Sequence, residues 1–248
     1  MTASRRATLM DRWRVTLADR WRLCTLAARL LAGRRYWLAA LVPLVWPAFL
    51  ATLFLSPSRE SYEPSSALGT LIGLPLTVLA IFLGVRVIAG EIDARRLEIA
   101  YTVPGGSHRV WLAKLAAAFA ILLVAEGLLA LVAWGFFTVF PLSTLYGALQ
   151  AATVYLVLAM GLATLFKSEV TGAMVAAAVL ALNWVLTGFG TNQIRFSPFW
   201  NGAALPDSQA SQALAWTLQN RVGFLLVIAA LVALAFGRAE RREKMLSG

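Results

Sequence analysis

Apolar residues in this chain come in long blocks, not in the stripes of a soluble helix or the alternation of a strand. Six stretches are nearly free of charge: 36–55, 67–89, 115–140, 144–166, 170–190 and 217–237. A helix rises ~1.5 Å per residue, so about 20 such residues cross a hydrocarbon core of ~30 Å. The blocks predict an all-α, polytopic membrane protein with six transmembrane helices across 36–237. The first block contains Pro43 and Pro47, and the sixth has Gln219, Asn220 and Arg221 near its start.

The polar intervals carry their own patterns. In 1–35, Met10, Trp13, Leu17, Trp21, Cys24, Ala28 and Leu31 fall on one narrow helical stripe flanked by arginines. Tryptophan and arginine on an amphipathic helix suit a headgroup interface, so this segment is expected to lie along the membrane surface. The interval 90–114 is the most polar stretch inside the apolar region. Glu91 and Arg95 stand four apart in the favourable acid-first order, and Ala94, Leu97 and Tyr101 form a short apolar stripe. Pro104 with Gly105 and Gly106 ends that pattern, and Ser107 can cap the next helix. The expected element is a charged helix over about 91–103, a sharp break, and a return into the membrane. The interval 191–216 carries Phe196, Phe199, Trp200 and Trp216, aromatics that fit an interfacial belt. The tail 238–248 is basic.

Composition agrees with the blocks: 60% of the 248 residues are hydrophobic and 14% charged, where a soluble domain carries about 25% charge. The net charge of +10 would suggest nucleic acid in a soluble protein. In a membrane protein, basic residues instead collect on the cytoplasmic side. With six spans, 19 of the 22 basic residues fall on one side, and only Arg59, Arg195 and Arg221 on the other. Both termini are therefore expected in the cytoplasm, with no nucleic acid partner. The nine arginines before the first apolar block do not fit a signal peptide. Cys24 and His108 are the only cysteine and histidine, which leaves no internal disulfide and no Cys- or His-rich metal site. No phosphate-binding loop, nucleophile elbow, zinc-helix motif or dinucleotide fingerprint occurs. The chain is not expected to be an enzyme by itself or to hold a cofactor.

Gly90, Glu91, Leu97, Glu98, Pro104, Arg109 and Lys114 stand in an order that resembles the permeases of ABC type-2 transporters. The amphipathic N-terminal helix, six spans and a long outer segment containing "SPFWNGAAL" extend the resemblance over nearly the whole chain. Arg95-Arg96 stands where that family commonly has Gly-Thr before Leu-Glu. The resemblance implies the plasma-membrane or inner-membrane subunit of an ATP-driven exporter. ATP and Mg would then be held by separate cytoplasmic ATPase subunits, with a second permease chain, identical or paralogous, completing the path. The helix at 91–103 would be the coupling helix. Its contact residues would be Glu91, Arg95, Arg96, Leu97, Glu98, Tyr101 and Pro104, with Arg109 following.

One further residue has a claim to function. Glu126 lies twelve residues beyond Lys114, ~18 Å along a helix and near mid-membrane. A carboxylate there is expensive and marks a site by default, so Glu126 and Asn183 are candidates for the substrate path. The alternative is a protonated Glu126 hydrogen-bonded to a neighbouring helix through Asn183 or a threonine hydroxyl. Arg86 reads as an anchor reaching for the interface. Two rival functions remain: a carrier driven by an ion gradient, and a scaffold that transmits force without moving solute.

The charge distribution makes a direct prediction. An impermeant thiol reagent should label Cys24 in inside-out vesicles and leave it unlabelled in intact cells. Labelling of intact cells would reverse the orientation.

Overall fold

The computed structural model describes residues 22–54, 67–93, 107–187, 194–202, 205 and 210–240. It is built of helices; the described residues contain no strand. Helix α1 is Arg22–Ala32. Helix α2, Tyr36–Leu41, passes through a 3-10 turn at Val42–Leu44 into α3, Val45–Phe54. A π-helical turn, Ala67–Gly73, opens α4, Leu74–Asp93. Four long helices follow: α5, Ser107–Phe136; α6, Leu142–Phe166; α7, Glu169–Leu186; and α8, Ala210–Ala239.

Five helical stretches are long and apolar enough to cross a membrane, at positions close to the five later blocks of the sequence. The first block behaves differently. Pro43 tightens the helix into its 3-10 turn, because proline removes a backbone donor and crowds the preceding turn. The α1 helix meets it at a bend of 72°, so this region is a sixth, broken span or a re-entrant element. Gly33 makes the bend possible with φ of +80°, a conformation other residues rarely take.

The turns set the directions of the helices. Lys167 ends α6 in the left-handed region, with φ of 54°, and its N–H reaches the Ala163 carbonyl. Ser168 then caps α7: its hydroxyl accepts the Thr171 N–H at 3.3 Å, with Glu169 in the first turn to match the helix dipole. Two residues thus reverse the chain and force α6 and α7 to run antiparallel.

Helices α4 and α6 form the centre. Of the most apolar 18-residue window in each span, 78% is buried in α4 and 61% in α6, against 17% in α7 and 11% in α8. Helix α6 touches α4, α7 and α8, and α4 packs more extensively on α6 than on any other element. Gly84 makes the α4–α6 approach possible, because a side chain there would run into the Leu156 backbone. Gly172 does the same for α7 against Ala163 of α6. In a bilayer, lipid tails are as apolar as leucine, so such close packing, and not expulsion from water, holds helices together. Threonine hydroxyls inside the bundle bond back to their own helices, as Thr77 does to Gly73 O and Thr164 to Met160 O, which satisfies these two without a partner helix.

Gly84→Val should therefore destabilise the bundle by about 1–3 kcal/mol, the usual range for overpacking. Gly135→Ala, at a position with nothing within 4 Å, should be silent. Thermal unfolding of the detergent-solubilised chain would compare the two; equal midpoints would show that the α4–α6 contact does not organise the fold.

Candidate functional site

Polar side chains gather at the two ends of the bundle. At one end stand the close of α1, the C-terminal ends of α4, α6 and α8, and the starts of α5 and α7. Their ties place them together: Arg86 Nη1 donates to Leu31 O at 3.1 Å, Arg86 Nε stands 3.6 Å from Glu169 Oε2, and Arg238 Nη2 approaches Leu165 O at 3.4 Å. We call this the basic end.

Its centre is a pair buried between α4 and α5. The Lys114 ammonium lies 2.7 Å from Glu91 Oε1, with side-chain exposures of 5% and 12%. The second Glu91 oxygen accepts the Trp111 indole N–H at 3.2 Å, and Lys114 also donates to Val87 O at 3.2 Å. Trp111 is fully buried and its ring lies 5.7 Å from that of Phe236 on α8. Both charges are thus paired and hydrogen-bonded, as burial requires. The Arg86–Glu169 pair is more exposed, at 37% and 25%, and stabilises little by itself. Arg86 also stacks over Phe82, with its guanidinium carbon 4.2 Å from the ring centroid. Gly90 leaves room for the Glu169 carboxylate against α4. Together these contacts fasten the last two turns of α4 to α1, α5 and α7.

At the opposite end, residues 194–202 fill the space among α4, α6, α7 and α8. Phe199 packs against Tyr155 and Trp184, each with centroids 6.2 Å away, and a side chain at Gly73 would crowd it. Trp200 is buried, and its indole N–H donates to Thr217 Oγ1 at 3.0 Å. Arg221 Nη2 donates to Trp200 O at 3.1 Å, while its Nη1 reaches Gln150 Oε1 at 2.9 Å. Gln150 Nε2 returns a bond to Arg221 O at 2.8 Å. Asn220 Nδ2 holds Arg195 O and Ser197 O at 2.8 and 3.0 Å. The segment is an ordered plug, built by carbonyl and guanidinium contacts that an aromatic belt does not require.

The sequence-predicted residues divide among these regions. Glu91 belongs to the basic-end pair, and its carboxylate is committed to Lys114 and Trp111. Arg95, Arg96, Leu97, Glu98, Tyr101 and Pro104 lie outside the described residues, as does most of the expected helix at 91–103. Arg109 is exposed on the first turn of α5. Glu126 is buried, 6% exposed, with its carboxyl against the Leu149 backbone of α6; its Oε1 has no hydrogen-bond partner among the described residues. Asn183 bonds elsewhere, accepting the Ser197 hydroxyl at 3.2 Å. The structure therefore gives Glu126 and Asn183 different partners. Sequence reasoning missed Lys114 as the mate of Glu91, and missed the Gln150–Arg221 exchange. The available signal was chemical: a lysine and an arginine inside apolar helices each need a partner.

Compared with known proteins, the chain matches no family model, no curated protein and no solved structure.

Lys114→Ala should destabilise the chain by about 3–5 kcal/mol, because it strands a buried carboxylate. The double variant Glu91→Gln/Lys114→Met removes both charges and keeps an acceptor for Trp111, so it should regain most of that loss. Thermal unfolding in detergent reads both; a double variant as unstable as the single would show that the pair is not coupled.

Proposed function

We propose that the chain is the transmembrane permease subunit of an ATP-driven exporter, with ATP hydrolysed by separate ATPase subunits. The observation that carries this reading is the buried Glu91–Lys114 pair. It stands on the two helices that flank the charged connector 94–106, which the sequence reads as a coupling helix. Force applied to that connector would reach α4 and α5 as one body. The Arg86 contacts would pass it to α1 and α7. The family resemblance supports the same assignment, and so does the gathering of described basic residues at one end. In this reading the basic end faces the cytoplasm, both termini lie there, and the membrane is the plasma or inner membrane. The apolar, largely uncovered faces of α7 and α8 leave ample surface for lipid and a second permease chain. The plug at 194–202 would be the part that must yield for outward release.

A specific observation favours a second reading, the ion-gradient carrier. Glu126 is a carboxyl group buried in a span with one unpartnered oxygen among the described residues, as a proton or cation relay requires.

Co-purification and ATP turnover decide between them. The native complex should contain an ATPase, and Arg95→Glu/Arg96→Glu should reduce its retention or its substrate-linked turnover at least tenfold while membrane insertion survives. A chain that moves solute with no ATPase present, and loses that flux in Glu126→Gln, would establish the carrier instead.

A further inference from the structure

A cleft of about 500 Å³ runs between α6 and α8 at the basic end. Its walls are Leu158, Leu162 and Leu165 of α6 facing Leu231 and Leu234 of α8, with Arg238 at its mouth. The volume is that of a small-molecule site rather than a packing flaw. Gly161 and Gly237 line it too, and a side chain added at either would meet nothing within 4 Å. The cleft opens on the flank of α8, the least covered span, where Leu234 is 70% exposed.

Among the described residues Arg238 is the only charged one lining the cleft, and no carboxylate does. Among the described residues its hydrogen bond is long, 3.4 Å from Nη2 to Leu165 O, while its Nε is buried without a hydrogen-bond partner there. The rest of the guanidinium is partly exposed, so its Nη donors can meet an anion at the mouth of the cleft. The nearest acidic residue along α8, Glu240, is exposed and does not line the cleft. Lys167 follows α6 directly, and the sequence after α8 is basic on balance, with Arg241, Arg242 and Lys244 against Glu240 and Glu243. Apolar walls ending in a cation at headgroup level match one kind of molecule: an acyl chain carrying an anionic head. Basic pockets between transmembrane helices on the cytoplasmic side are suited to such headgroups.

We infer that the α6–α8 cleft is a binding site for an anionic phospholipid, its acyl chain along Leu158, Leu162, Leu231 and Leu234 and its phosphate on Arg238. The assignment to the cytoplasmic leaflet rests on the orientation proposed above. The site itself does not, because it is defined by the chain alone.

The test is native mass spectrometry of the full chain, extracted with whatever co-purifies and supplied with phosphatidylglycerol or phosphatidylcholine. The wild type should retain phosphatidylglycerol in preference to phosphatidylcholine. Arg238→Gln should lower the apparent affinity for phosphatidylglycerol about fivefold, the factor for losing one cation near an anionic surface. Arg238→Lys should keep most of the preference. Leu234→Trp, which fills the cleft from an exposed position, should reduce retention of the lipid without altering the thermal midpoint. Equal retention of both lipids, or phosphatidylglycerol binding unchanged in both Arg238→Gln and Leu234→Trp, would overturn the proposal. So would cross-linking of Leu234→Cys to a second copy with no lipid retained, since the cleft would then be a contact between chains. Labelling of Cys24 reads the orientation separately: label in intact cells would move the lipid to the other leaflet and leave the site standing.

Discussion

A lysine and a glutamate shut away from water at one end of the bundle constrain much of what surrounds them. Lys114 and Glu91 come from different helices, and each is tolerable in its place only because the other is there. Their pairing fixes the rotation of α5 about its axis, since Lys114 must point at α4. It also fixes the face that the last turn of α4 turns toward α5, since Glu91 must stay in reach. Trp111, one turn before Lys114, completes the arrangement by giving Glu91 a second donor and laying its ring against α8. Three helices are thereby set in mutual register by one carboxylate.

The two ends of the molecule solve the problem of buried polarity differently. At the basic end, charges meet charges, with main-chain carbonyls as auxiliaries. At the plug end, the half-buried cation Arg221 meets an amide and a carbonyl in place of an acid. That choice suits a segment of irregular backbone, because the guanidinium and the Asn220 amide supply donors for carbonyls that no helix satisfies. The plug is held by several hydrogen bonds without an ion pair, whereas the basic end is held by pairs of opposite charge.

Most of the architecture was legible in the sequence because hydrocarbon imposes a length and a composition on anything that crosses it. The five later spans agree with their apolar blocks to within several residues, the largest departure being the early start of α5. The first block was less legible. Two prolines and a glycine at positive φ act through local backbone geometry, which a hydropathy pattern does not register. The site was legible only in part. Glu126 stood out because an acid in an apolar run is anomalous wherever the helix lies. The acid-first spacing of Glu91 and Arg95 pointed to a local pair, and Arg95 lies outside the described residues; the contact of Glu91 with Lys114 on another helix is one that no spacing rule encodes. The fit of Phe199 against Gly73, Tyr155 and Trp184 depends on elements far apart in the chain, and so was hidden for the same reason.

The π-helical turn at Ala67–Gly73 has a consequence for how the gene can change. A π turn accommodates one more residue than an α turn and leaves a carbonyl out of the usual ladder; here the indole of Trp46 bonds to Thr70 O at 2.9 Å. Removing a single codon in this stretch would let the ladder close into a regular helix. The helical residues before the deletion would then swing by about 100° around the axis of α4, the angle one residue contributes to an α-helix. Leu68 and Leu71, now buried, would turn away from the core, and the carbonyl that Trp46 uses would be consumed within the helix. Insertions and deletions are therefore far less neutral here than substitutions of one apolar residue for another.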